Sequence, residues 1–135
     1  MPKLFNLIVA GGRDFEDYKR MENVLFDFAE QHGEDYLINI VSGMSRGADR
    51  LAVQFCRKHG VQLIEMPADW NKHGNSAGYR RNTDMAAISQ GLIAFWDGNS
   101  RGTSHMISTA HSMGLIVQVE YYQLTNNHLP FCLPH

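Results

Sequence analysis

Val41-Ser42-Gly43-Met44-Ser45-Arg46-Gly47-Ala48-Asp49-Arg50-Leu51-Ala52 carries three signals in succession: the end of a buried strand, a glycine turn and the first turn of a helix. The preceding run Leu37-Ile38-Asn39-Ile40-Val41 is short and rich in β-branched residues, as a strand covered on both faces should be. Gly43 and Gly47 permit positive φ or the close approach of another group to the backbone. Ala48, Leu51, Ala52, Phe55 and Cys56 then fall at i, i+3, i+4, i+7 and i+8, one apolar helical face. Such a turn aims backbone N–H groups at one spot with the positive helix end behind them, a site for an anion and usually a phosphate. The same pattern also fits a tight βα connection that binds nothing.

Working outward, the chain alternates. Strands are predicted over 4–10, 37–41, 61–66, 92–96 and 115–121, and helices over 17–32, 48–59, 77–90 and 103–113. Gly33, Gly60 and Gly114 stop three of the helices. Residues 67–76 form a polar stretch long enough to be a functional loop. Five strands alternating with four helices predict an α/β fold: one Rossmann-like domain over residues 1–122, with a five-stranded parallel sheet and helices on both faces. Residues 123–135, with Asn126-Asn127 and two prolines, read as an irregular tail.

In such a sheet ligands bind beyond the carboxyl ends of the strands, which brings the three glycine loops to one edge. They are Gly11-Gly12-Arg13-Asp14-Phe15, the stretch quoted first, and Asp97-Gly98-Asn99-Ser100-Arg101-Gly102. Gly43–Ala48 and Gly98–Thr103 share the pattern GxSRG followed by a small residue. Similar turns recruit similar residues, but two such loops on one edge are better explained by a shared polyanionic ligand. Arg13, Arg46, Arg81 and Arg101 are its candidate cations. Gly11, Gly12, Arg13, Gly43, Ser45, Gly47, Gly98, Ser100, Gly102 and Thr103 are expected to frame the pocket. Replacing Gly47 or Gly102 by Val is expected to abolish binding and leave the protein folded.

Composition narrows the function. A chain of 135 residues buries a real core, and a formal charge of −2 offers no general attraction to nucleic acid or anionic membranes. Two cysteines, Cys56 and Cys132, make no disulfide framework and fit a reducing cytoplasm. The apolar start runs into Gly11-Gly12 without a cleavage site, so it reads as a first strand rather than a signal peptide or a membrane span. No P-loop, GxGxxG or GxSxG occurs, and the histidines lack metal-ligand spacing. No cofactor and no metal is therefore expected. Phe95-Trp96, Tyr121-Tyr122 and Phe131 fit either core or interface, which leaves a homo-oligomer open.

Several motifs in register are similar to those of the SLOG superfamily, above all its small YspA/YpsA-related branch. They are Gly11-Gly12-Arg13-Asp14-Phe15, Ser42-Gly43 with Gly47-Ala48-Asp49, Pro67-Ala68-Asp69-Trp70, Gly78 with Arg81-Asn82 and Met85, and Asp97-Gly98 with Ser100 and Gly102-Thr103. The resemblance implies a Rossmann-like fold, a bacterial or phage setting, and a nucleotide or nucleotide-sugar as partner. It adds Ser42, Asp49, Asp69, Trp70, Asn82 and Asp97 to the candidate ligand-binding residues. The superfamily includes the LOG phosphoribohydrolases, whose PGGxGTxxE motif supplies a glutamate at the ribose–base bond. Met106 stands at that position here. A thioether cannot act as a general base, so the expected function is ligand binding as a sensor, sequestering protein or scaffold. Cleavage of an N-glycosidic or phosphate bond is the alternative, with Asp49, Asp69 and Asp97 as candidate acids or bases. DNA binding by analogy with DprA is opposed by the acidic balance and the absence of a basic run.

Overall fold

The computed structural model describes residues 3–123. In chain order the elements are β1 (Lys3–Gly11), α1 (Tyr18–His32), β2 (Tyr36–Ser42), α2 (Ala48–His59) and β3 (Leu63–Glu65). There follow α3 (Trp70–His73), a 3₁₀ turn (Gly74–Ser76), α4 (Ala77–Ala87), β4 (Gly91–Trp96), α5 (Arg101–Ser112) and β5 (Ile116–Tyr121). The sheet is five-stranded and wholly parallel, in the order β3-β2-β1-β4-β5. The chain thus winds outward from β1 in one direction, returns to its other side at β4, and leaves a switch point between β1 and β4.

Burial explains why the central strands are apolar throughout. Phe5, Leu7 and Val9 of β1 face Met21, Leu25 and Phe28 of α1 and Ala52, Phe55 and Cys56 of α2. Ile8 and Ala10 face the opposite layer, made of Met85 and Ala86 on α4 and Met106 and Ala110 on α5. Two asparagines interrupt this pattern as a matched pair, since Asn6 and Asn39 are in register across β1 and β2. Asn39 Nδ2 donates to Asn6 Oδ1 at 3.2 Å, and Asn6 Nδ2 donates to the Ile88 carbonyl at 2.7 Å. Paired in this way, the amides avoid the cost of unsatisfied polar groups.

The polar stretch 67–76 is more ordered than a loop. Asp69 Oδ1 accepts from Lys72 N at 3.1 Å and caps α3. This four-residue helix is too short to show periodicity. The proposed tail lies outside the described residues except for Gln123, as do Phe131 and Cys132. Among the described residues no helix is long and apolar enough to cross a membrane.

Helices α1 and α2 are tied together by Glu22, whose buried carboxylate accepts from His59 Nε2 at 2.7 Å, Lys58 Nζ at 3.0 Å and Lys19 Nζ at 3.3 Å. The hydrogen bonds from His59 and then Lys58 hold its pKa down at about 2 from an ordinary 4.5, against burial. A carboxylate depressed in the folded state contributes stability that is complete above its unfolded pKa and is lost as pH falls through the folded one. The window here is about pH 4.5 to 2. Urea titrations at pH 6 and pH 3 should show Glu22→Gln losing less stability on acidification than the unmodified chain. Equal losses would mean that Glu22 does not carry this part of the acid sensitivity.

Candidate functional site

The stretch 41–52 takes the predicted strand–turn–helix form, and the amides of Met44, Ser45 and Ala48 in its turn are bonded within the protein. Ser42 is fully buried; its Oγ donates to the Asp49 carbonyl at 3.0 Å and accepts from Met44 N at 3.1 Å. Met44 sits at φ 66°, a left-handed conformation unusual for a residue with a side chain, and its carbonyl accepts from Arg50 Nε at 2.9 Å. Ala48 N, the first amide of α2, donates to the Gly12 carbonyl at 3.1 Å. Ser45 N donates to Asp49 Oδ2 at 3.1 Å. The helix end expected to hold an anion is therefore packed against the loop after β1, with its own aspartate beside it.

The glycines there serve that packing. A Cβ at Gly47, which has φ 77°, would lie inside van der Waals contact with the Gly12 carbonyl oxygen and the Arg13 backbone. One at Gly43 would strike the Arg81 guanidinium, so the group approaching Gly43 is a side chain of the protein itself. Arg81 Nη1 donates to the Gly43 carbonyl at 2.7 Å and Nε donates to Asn82 Oδ1 at 3.2 Å. At Gly12 the close neighbour is Tyr122, whose hydroxyl donates to Asp14 Oδ1. Burial, then that hydrogen bond, raises the Tyr122 pKa.

The third glycine loop is built differently, and the GxSRG echo is one of sequence alone. Helix α2 begins after its motif, at Ala48, whereas α5 begins within it, at Arg101. Gly102 consequently lies in the first turn of α5, with open space where a Cβ would go. Ser100, at the N-cap, makes no side-chain capping bond, and its Oγ lies 3.3 Å from Thr103 Oγ1. Asp97 Oδ1 accepts from Asn99 N and Ser100 N, both at 2.8 Å, and these bonds hold its pKa down. At the α5 terminus, unlike at Gly47, an added side chain would meet no neighbour.

These loops border a cavity of about 600 Å³ at the carboxyl edge of the sheet, at the β1–β4 switch point. Of the sequence-predicted residues, Gly11, Gly12, Arg13, Ser45, Arg46, Asp49, Trp70, Arg81, Asn82, Asp97, Ser100, Gly102 and Thr103 line it. Ser42, Gly43, Gly47, Asp69, Gly98 and Arg101 do not. Ser42, Gly43 and Gly47 are occupied in loop packing, Asp69 caps α3, and Arg101 is exposed outside the lining. Asp14 and Met85, quoted in the sequence motifs but not among the candidate ligand-binding residues, also line the cavity, as do Asn75 and Tyr79, which no motif marked.

The electrostatics are balanced. Three guanidiniums (Arg13, Arg46 and Arg81) face three carboxylates (Asp14, Asp49 and Asp97). Each carboxylate already accepts a hydrogen bond within the protein. Burial pushes Asp49 up to about 6, against the Ser45 amide and the charges of Arg81, Arg13 and Arg50. Met106 is 1% exposed and forms part of the cavity wall one turn into α5. Among the described residues no group of three or more His, Cys, Asp or Glu is placed to hold a metal ion.

Fold and crevice together define a doubly wound parallel α/β domain with its candidate site at the switch point. A family model described as YAcAr, the YspA, cpYpsA-related SLOG family, matches residues 5–73. The Gene 61 protein of Mycobacterium phage D29 is 32% identical over 117 residues, covering 82% of this chain and 92% of the phage protein. The chain belongs to the YspA, cpYpsA-related SLOG family, and membership supports a nucleotide-related binding or processing role at that coarse level. No solved structure matches it.

Proposed function

We propose that the cavity binds a nucleotide or nucleotide-sugar by its phosphate and ribose, and that the protein acts as a sensor, sequestering protein or scaffold. The observation carrying this reading is the convergence of Arg13, Arg46 and Arg81 with the uncapped N-terminus of α5 on one cavity at the switch point. Guanidiniums and helix amides are the groups that favour phosphate oxygens. Met106 argues against LOG-type hydrolysis, since its buried thioether supplies packing in place of a carboxylate. The alternative of a hydrolase is favoured by one observation: Asp49 lines the cavity with a pKa raised to about 6, suited to acid or base work near neutrality.

Calorimetric titration of AMP, ADP-ribose and the matching nucleosides, with chromatography of the incubated mixtures, tests both readings. Arg46→Ala and Arg13→Ala are expected to cost about 1.5–3 kcal/mol of affinity for the phosphorylated ligands and much less for the nucleosides. Arg101→Ala, outside the cavity lining, should change little. Equal losses for nucleotide and nucleoside would mean that these arginines do not read phosphate. Release of free base or phosphate by the unmodified protein would favour the hydrolase.

A further inference from the structure

We infer that the rim formed by Trp70 and Tyr79 is a nucleobase platform, so that the ligand of this site carries a planar aromatic base and is more than a sugar phosphate. This rests on the nucleotide reading above. Several large apolar side chains are exposed on this protein, among them Ile88 and Met113, and isolated exposures of that kind are ordinary. Of the large hydrophobic residues exposed among the described ones, only Trp70 and Tyr79 line the cavity. They are 51% and 45% exposed, and both are aromatic.

Neither ring is loose. Trp70 opens α3, which Asp69 caps, and its indole lies over the bare backbone of Gly78, where a Cβ would be 3.5 Å from the ring. Tyr79 is stacked on His105, with ring centroids 4.3 Å apart and planes inclined by 21°. His105 is in turn held at both nitrogens. Nδ1 lies 3.1 Å from Asn82 Nδ2, which must donate, and Nε2 lies 3.4 Å from Thr109 Oγ1. That arrangement requires the neutral ring with its proton on Nε2, in keeping with the pKa lowered by burial. Asn82 also donates to the Gly102 carbonyl at 3.3 Å and accepts from Arg81 Nε. One hydrogen-bonded chain therefore fixes the Tyr79 ring relative to Arg81 and the first turn of α5. Aromatic faces so pre-organised suit stacking with a base, which every nucleobase can provide. Asn75, between the two aromatics in sequence and also on the cavity wall, brings an amide able to meet a base edge.

The experiment uses the full chain and four variants: Trp70→Ala, Trp70→Phe, Tyr79→Ala and Arg46→Ala. Probes are the four ribonucleoside monophosphates, ADP-ribose and ribose 5-phosphate, with affinities from calorimetry and folding checked by thermal melts. Trp70→Ala and Tyr79→Ala are each expected to weaken the best-bound nucleotide about tenfold or more and to leave ribose 5-phosphate within about twofold. Trp70→Phe, which keeps an aromatic face, should recover most of the loss. Arg46→Ala should weaken nucleotide and ribose 5-phosphate alike. Unchanged nucleotide affinity in both alanine variants, or equal weakening of ribose 5-phosphate, would overturn the base platform and leave the phosphate reading standing. If the unmodified protein binds no phosphorylated probe, the nucleotide reading fails and this inference falls with it. Should one alanine variant not fold, the other decides.

Discussion

Gly47→Val is expected to destabilise the fold by about 3 kcal/mol or more, a large part of the 5–15 kcal/mol typical of a domain. Two costs combine. Gly47 has φ 77° and ψ −127°, a backbone conformation that a β-branched residue reaches only under strain. The added side chain would also enter the space of the Gly12 carbonyl and the Arg13 backbone, the seam where the loops after β1 and β2 meet. Displacing that seam would strip Ala48 N of the Gly12 carbonyl to which it donates. Urea denaturation measures the effect, with Gly102→Ala as the comparison. Gly102 lies in α5 with nothing within 4 Å of an added Cβ, so its stability should be unchanged or slightly raised. The expectation that valine spares the fold at both positions therefore divides: Gly47 is structural, and Gly102 is the informative position for binding. A Gly47→Val variant as stable as the unmodified chain would show that the seam yields cheaply.

Asp49→Asn is expected to stabilise the protein near pH 7.5, by an amount on the order of 1–3 kcal/mol. Burial raises the Asp49 carboxyl from 3.8 to about 6, despite the amide of Ser45 and the nearby guanidiniums of Arg81, Arg13 and Arg50. The folded state thus binds this proton more tightly than the unfolded chain does. Its contribution to stability grows as pH falls from above 6 towards 3.8 and is constant below that. At pH 7.5 the buried charge is a net cost, which the neutral amide removes while its Oδ1 can still accept from Ser45 N. Urea titrations at pH 7.5 and pH 4 should show the advantage of Asp49→Asn shrinking on acidification. A variant less stable at pH 7.5 would mean that the arginines and the N-terminus of α2 outweigh burial. At the cavity wall, ionised Asp49 offsets part of the field of Arg13 and Arg81.

Much of the architecture is legible in the order of residues. Strand and helix periodicities, glycine stops and crossover lengths identify the parallel α/β sheet, because a doubly covered strand must be apolar along its length and an amphipathic helix must repeat at 3.6 residues. The three loops at one edge follow from parallel topology. The position of Met106 follows from the motif it interrupts, and tertiary structure adds that its side chain is buried in the cavity wall. The short helix α3 is not legible in this way: a single turn has no period, and its signal is one capping aspartate.

What the chain's own sequence determined, then, is the architecture and the neighbourhood of the site, both consequences of local pattern repeated along the chain. Tertiary structure alone decided how each glycine loop is packed. The two GxSRG segments are alike as strings and both border the cavity, yet one has the leading helix amide taken by the Gly12 carbonyl and the other starts a helix with open space at Gly102. Whether an N–H group is free for a ligand depends on a partner distant in sequence. The same holds for Arg81, recruited to Gly43 across 38 positions, and for Tyr79, fixed by His105 from another helix. Contacts between residues far apart in the chain leave no periodicity to read, so these assignments needed the fold.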